Sequence, residues 1–395
     1  MKGWAIGIMT GTSADGMDVA LTEIEDVHPD WPTCRLADFR YQPFDRGMRT
    51  KILACSEKPV QWELVSDVHR YLAQSAAMLI DDLLRAQKMS PSEVRVIGFH
   101  GQTVQHLPDL GVSWQVGDAQ RLAVLTGIGV VSQFRAADLA LGGQGAPLVP
   151  YFDYAVFRHS EKTRVILNIG GIANLTVIPA GAAVTQVIGF DTGPGNMVID
   201  GLIAGLSRGR WRYDADGQLA GQGRVNLELL AKWMDHPFLA LLPPKSTGRE
   251  LFGEAWVKEA VEDIQTRALS LVDALATVTA WVAESIADAI RRVASPPMDV
   301  IVSGGGMHNR TLMASLRERL PGVNVATSDT YGIPGDAKEA MAFAYLAWQF
   351  LAGKPTNLPQ VTGARRAVPL GCWTPPYAVE AQDRKDSKEE CSDGR

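Results

Sequence analysis

One pattern occurs twice along this chain: an apolar strand, a glycine-rich break, then two further strands. Residues 4–9 (WAIGIM) read as a buried strand, 10–17 (TGTSADGM) as a tight polar loop, 18–24 (DVALTEI) as a second strand and 35–41 (RLADFRY) as a third. Residues 164–169 (RVILNI), the Gly170-Gly171 break, 173–178 (ANLTVI) and 185–190 (TQVIGF) restart it. Strands joined by so short a loop pair antiparallel, because a parallel pair needs a crossover of a dozen or more residues. Each half then continues into helices and strands. Val65, Val68, Leu72, Leu79 and Leu83 fall at helical spacing and stop before Ser90-Pro91, ahead of a strand at 94–99. In the second half, Leu271 to Val293 form a long apolar-faced helix, and a strand at 299–303 runs into Gly304-Gly305-Gly306. A last helix, 336–352, ends at Gly353. The repeat lies in pattern and not in letters, and it predicts two related α/β halves whose glycine loops line a shared cleft.

The 395 residues are enough for two or three domains with proper cores. A net charge of −6 argues against a nucleic-acid partner, which calls for a basic face. Cys34, Cys55, Cys372 and Cys391 lie far apart with no Cys-x-x-Cys pair, which fits reduced thiols in a cytoplasmic protein. No run of 18 apolar residues exists to span a membrane, and Trp4–Met9 is too brief for a signal-peptide core. The stretch 380–395 is charged and aperiodic, and reads as a disordered tail.

Three glycine-rich loops follow apolar strands: Gly11 to Asp18, Asp191 to Asn196 and Ser303 to Gly306. Glycine lets backbone approach a ligand, and successive N–H groups form anion-binding concavities. Three such loops point to a nucleotide phosphate site. No G-x-x-x-x-G-K-[ST] and no strand leading into G-x-G-x-x-G occurs, so neither a P-loop nor a dinucleotide fold is indicated. Gly11-Thr-Ser-Ala-Asp15 lacks the second glycine of a serine-hydrolase elbow and joins two strands. His100 and His106 have no third ligand for zinc.

Longer motifs are more specific: Ile8-Met-Thr-Gly-Thr-Ser-Ala-Asp-Gly-Met-Asp18, His100-Gly-Gln-Thr103, Gly142-Gly-Gln-Gly-Ala-Pro-Leu148, Asn168-Ile-Gly-Gly-Ile-Ala-Asn174, Gly189-Phe-Asp-Thr-Gly-Pro-Gly-Asn196, Pro244-Lys-Ser-Thr-Gly-Arg-Glu250, Ser303-Gly-Gly-Gly306 and Val361-Thr-Gly-Ala364. Together they resemble the anhydro-N-acetylmuramic acid kinases of bacterial cell-wall recycling, in order from about residue 5 to 372. The resemblance implies the actin-like ATPase and sugar-kinase fold, a duplicated ribonuclease-H-like α/β arrangement closing over ATP. We divide the chain into 1–135 with a short return near 365–375, and 136–364. The resemblance further implies a homodimer, Mg2+ with ATP, and opening of a 1,6-anhydro bridge by water while its sixth-position oxygen takes the phosphoryl group. Such chemistry needs a carboxylate base aimed at water and donors that hold the triphosphate in line.

Asp191 matches the family's catalytic aspartate, and its place after a strand and before a flexible turn should aim it into the cleft. Glu339 matches a family glutamate that orients the water, although Asp336-Ala-Lys-Glu339 also has capping-box spacing. The family's ATP-binding segment maps onto Gly11, Thr12, Ser13, Ala14, Asp15, Gly16, Met17 and Asp18, with Asp15 or Asp18 available to magnesium. Gly193 and Gly195 join the phosphate loops, and Gly304, Gly305 and Gly306 are expected near adenosine. For the sugar, the resemblance points to His100, Gln102, Thr103 and the Arg135-to-Asp138 segment, including both its ends. The Lys245–Glu250 loop reads as functional without a physical role. Gln133 stands where an Asp is usual, which bears on how Arg135 is oriented, and Thr10 replaces a common serine. A kinase for another anhydro sugar such as levoglucosan shares most of these loops, and an actin-like ATPase module shares the fold.

Overall fold

The computed structural model describes residues 2–11, 13–25 and 33–377. Thr12 and the tail expected at 380–395 lie outside them. The chain forms two compact units, one running to Val156 and resuming at Ala337, the other comprising Phe157–Asp336. These bounds differ from the sequence reading. Residues 136–156 and the Lys338–Leu351 helix belong with the first unit, because that helix packs on its central strands.

In the first unit, β1 (Lys2–Met9), β2 (Gly16–Glu25) and β3 (Thr33–Pro43) form an antiparallel meander. Next, β4 (Val94–Phe99) lies parallel to β1, while β5 (Gln102–Leu107) and β6 (Val112–Val116) make a separate hairpin. β7 (Val130–Ser132) lies parallel to β4, with Cys372–Thr374 antiparallel at its outer edge. The second unit repeats the arrangement. A meander of β8 (Thr163–Ile169), β9 (Ile172–Ile178) and β10 (Ile188–Pro194) is followed by β11 (Met298–Ser303) parallel to β8 and β12 (Asn324–Thr327) parallel to β11. Both sheets therefore run third, second, first, fourth, fifth strand. Two sheets of this order in one chain make the duplicated ribonuclease-H-like fold of actin-like ATPases and sugar kinases.

Glycine sets how closely the last helix approaches the first sheet. Gly7 and Gly98 pair across β1 and β4. A Cβ at Gly7 would lie 1.8 Å from the Ala340 carbonyl oxygen, and one at Gly98 would lie 2.1 Å from that of Phe343. The Lys338–Leu351 helix thus rests directly in a two-glycine notch, with Ala340, Met341, Ala344 and Leu346 fully buried. In the second unit the Leu271–Val293 helix is the core element. Ser270 caps it by accepting from the Asp273 amide, and Trp281 stacks on Trp256 at 4.6 Å with no exposure of its own. Its apolar residues are therefore spent inside the unit. Burial of each large apolar side chain contributes about 1.5–3 kcal/mol.

Strand direction positions the chemistry. β1, β4 and β7 are mutually parallel, so the segments after Met9, Phe99 and Ser132 leave one edge of their sheet. β8, β11 and, through two antiparallel steps, β10 likewise end together. Carboxyl edges of this kind are where open α/β sheets bind ligands.

Candidate active site

At the first unit's carboxyl edge, the segment after β1 turns tightly. The Ala14 amide donates to the Gly11 carbonyl at 3.1 Å, and Ala14 takes a left-handed backbone with φ of 52°. Ser13 donates to the Asp15 carboxylate at 2.5 Å. The loop is shorter than its sequence suggests, since β2 begins at Gly16. Ala14 and Met17 are fully buried in the hydrophobic core, so their side chains are packing groups and only their backbone can meet a ligand. Gly16 lets the Tyr41 ring lie across β2. Tyr41 pairs with Asp18 across β2 and β3 and its hydroxyl donates to the Asp15 carbonyl at 3.2 Å; burial, then Asp15 and Asp18, pushes that hydroxyl above its ordinary range. Among the described residues no cluster of three His, Cys, Asp or Glu could hold a metal by itself. A pair of carboxylates suits magnesium, which prefers one or two of them together with phosphate oxygens and water.

Beside this loop, His100 and Arg135 form a fixed pair. His100 Nδ1 lies 2.6 Å from the Gly101 carbonyl oxygen and must donate to it. Nε2 is then the acceptor for the guanidinium, at 2.9 Å from Nη2 and 3.2 Å from Nε. Burial, followed by the Arg135 charge, holds the imidazole neutral with a pKa near 3. Arg135 Nη1 donates to the Gly145 carbonyl at 2.7 Å. His100 and the main chain thus orient Arg135, and Gln133, itself in a left-handed conformation, makes none of these contacts. Burial lowers the Arg135 pKa to about 10, partly offset by Glu339, so the guanidinium keeps its charge at neutral pH.

Glu339 sits in the first turn of the Lys338–Leu351 helix. Burial raises its pKa, against the pull of Lys338 and Arg135. Ala337 occupies the N-cap without a side-chain bond, and Asp336 accepts from His308 at 3.0 Å. Next to Glu339, Lys338 makes a buried ion pair with Asp153 at 2.8 Å. Gln102 is buried with its carboxamide oxygen unpartnered, as is the Thr10 hydroxyl. Thr103 accepts from Gln115 at 3.1 Å.

Asp138 does not belong to the substrate set. It has no exposure, and its two oxygens accept from the Gly145 amide at 2.8 Å, Asn357 at 2.7 Å and the Thr362 hydroxyl at 2.7 Å. The carboxylate fastens the 142–148 motif to the 357–364 segment, which gives both motifs a structural reason.

The second unit's edge is built differently. Asp191 lies inside β10, where the register against β9 shifts between Asp191 and Gly193. The strand continues past 190 because glycine at 193 adopts φ of 136° and lets the bulge form. A bulge re-aims side chains, and here it presents Asp191 to a loop 55 residues onward in sequence. Ser246 Oγ and the Thr247 amide both donate to Oδ2 at 2.9 Å. Burial is the largest influence on Asp191 and raises its pKa, while these two bonds pull it down. Sequence reading found the aspartate and missed Ser246 and Thr247. The long motif around them was the only signal.

The glycines of this edge serve packing more than anion binding. The amides of Gly195, Asn196 and Met197 donate to the Gly170 and Gly171 carbonyls at 2.8–3.1 Å. A Cβ at Gly195 would lie 2.5 Å from the Gly170 oxygen. Gly195 therefore does not offer the open amide expected of a phosphate loop. Gly304, at φ of 78°, and Gly306 pack on Ile169 and Asn168, whereas Gly305 is exposed at the mouth of this edge.

Residues 3–376 match the family model for anhydro-N-acetylmuramic acid kinase. The chain is 42% identical to the anhydro-N-acetylmuramic acid kinase of Salinibacter ruber over 94% of its length and 96% of that protein. It is 43% identical to that of Pseudomonas paraeruginosa, covering 94% and 98% respectively. It is 38% identical to that of Caldanaerobacter subterraneus, covering 93% and 95%. With this coverage and this identity, the chain belongs to the anhydro-N-acetylmuramic acid kinase family.

Proposed function

We propose that this chain transfers the γ-phosphoryl group of ATP to 1,6-anhydro-N-acetylmuramic acid, with water opening the 1,6 bridge to give N-acetylmuramic acid 6-phosphate. The observation that carries the chemistry is Asp191, a carboxylate at the carboxyl edge of a sheet with both hydrogen bonds on one oxygen. Its other oxygen takes the proton from a water as that water attacks the anomeric carbon. The bond from that carbon to the bridging oxygen breaks, and the oxygen bonds to the γ-phosphorus as the bond from that phosphorus to ADP breaks and ADP leaves, so no separate acid is needed at the sugar's leaving oxygen. An ordinary glycosidase has to supply that acid.

Glu339 orients the attacking water. Arg135, held by neutral His100, binds the lactyl carboxylate, while the unpartnered Gln102 oxygen and Thr103 take sugar hydroxyls. Backbone of Gly11, Ser13 and their neighbours receives the β- and γ-phosphates, Gly193 lies on the phosphate side, and Gly304–Gly306 pass beside adenosine. Asp15 or Asp18 would hold Mg2+, which neutralises triphosphate charge. The reading includes a cytoplasmic homodimer. No helix among the described residues is long and apolar enough to cross a membrane.

The test is kcat/KM for 1,6-anhydro-N-acetylmuramic acid beside levoglucosan, with ATP consumption followed in parallel. Preference for the muramic sugar supports the reading. Preference for levoglucosan, or ATP hydrolysis independent of any sugar, overturns it.

A further inference from the structure

The Lys245–Thr247 segment wraps around Asp191 on two sides. The Asp191 amide donates to the Lys245 carbonyl at 3.1 Å, while Ser246 Oγ and the Thr247 amide donate to Oδ2. Both ends of this segment are tied down. On one side, Lys245 Nζ donates to the Phe238 carbonyl at 3.1 Å and lies 4.6 Å above the Phe238 ring. On the other, Phe252 is fully buried, packed edge-on against Phe238 at 5.7 Å and against Trp281 at 6.0 Å. Two donors on one carboxylate oxygen, supplied by a segment anchored at both ends, fix the rotation of that carboxylate. They also stabilise its charged form over its neutral form.

We propose that Ser246 is a positioning residue for the reaction: with the Thr247 amide it clamps Oδ2 of Asp191, so that only Oδ1 takes the water proton. The inference rests on Asp191 being the base. The charged groups facing Asp191 are Glu250, which opposes its ionisation, and Lys245, which favours it. Ser246 acts beside them through its hydroxyl. Removing that hydroxyl leaves the amide alone on Oδ2, frees the carboxylate to rotate and weakens the support of its charged form. The acid limb of the rate profile must then move to higher pH. Ser246 itself is exposed, so its truncation leaves no cavity.

The experiment measures kcat, both KM values and the pH profile of the full chain for Ser246→Ala, Ser246→Thr and Asp191→Asn, with ATP and the anhydro sugar. Ser246→Ala is expected to lower kcat by about tenfold to a hundredfold, the loss of one hydrogen bond to a charged group. Its KM values should stay near wild type and its acid limb should shift upward. Ser246→Thr, which keeps the hydroxyl, should restore the profile. A Ser246→Ala enzyme with wild-type kcat and pH profile overturns the inference. So does one that loses activity with an unmoved profile and no rescue by threonine. Asp191→Asn separates the two levels: if it retains turnover, the base assignment itself is overturned. If it is inactive while Ser246→Ala behaves as wild type, only the clamp is.

Discussion

The two units present carboxyl edges of sheets with the same strand order, yet they fasten those edges by different means. In the first, charge does the fastening: Arg135 is shared by His100 and the Gly145 carbonyl, and Asp138 accepts from three buried donors. In the second, backbone does it, with the amides of Gly195, Asn196 and Met197 closed onto Gly170 and Gly171. Strand order therefore decides where ligands can sit without deciding which edge does the chemistry. What distinguishes them is spare capacity. Asp138 accepts through both of its oxygens from donors of its own unit, whereas Asp191 makes both of its side-chain hydrogen bonds through one oxygen. In the proposed reaction the first edge recognises the charged sugar and the second transfers the proton.

The largest effect should come from the second edge. Asp191→Asn preserves shape and hydrogen bonding but cannot accept the proton. Its turnover should fall by about 10²–10⁴ with nucleotide affinity unchanged, read by steady-state kinetics and calorimetric titration. Near-normal turnover would erase the contrast between the edges.

Next comes a purely structural loss at the first edge. Asp138→Ala strands the Gly145 amide, Asn357 and Thr362 in a buried place, and should cost about 3 kcal/mol in chemical denaturation. A neutral result would mean that those donors find other acceptors.

Smaller still is the stability effect of Glu339→Gln. A capping contact is worth about 1 kcal/mol, so the melt should move by no more than that while activity declines. A large destabilisation would return Glu339 to a structural role.

A pH-dependent effect concerns His100. Its folded pKa, near 3, lies below the ordinary 6.5. Its contribution to stability is complete above pH 6.5 and is lost as pH falls toward 3, at no more than about 1.4 kcal/mol per pH unit. Asp191 and Glu339 run the other way. Their raised values favour the fold at low pH, and that contribution is lost as pH rises through them. His100→Gln should therefore flatten the acid side of a melting-temperature profile, and an unchanged acid slope would contradict the neutral imidazole.

Much of the fold was legible because a strand–glycine–strand meander leaves few topologies, and it occurred twice. The bounds of the units were not, since nothing local in 338–351 says that its helix fits a notch made by Gly7 and Gly98. Asp191 was legible from its motif, although as a residue beyond its strand and not on a bulge within it. Asp138 was misplaced because a carboxylate among glycines looks the same whether it faces a ligand or its own chain. Its partner Asn357 is 219 residues away. Ser246 was hidden for the same reason, at a separation of 55 residues from Asp191.

The most direct measurement follows the fate of solvent oxygen. Turnover in water enriched in heavy oxygen, quenched and reduced at once, should place one label on the anomeric carbon and none in the transferred phosphoryl group. Label in the phosphate ester, or a phosphorylated product whose anhydro ring remains closed, would contradict a carboxylate-primed water opening the bridge.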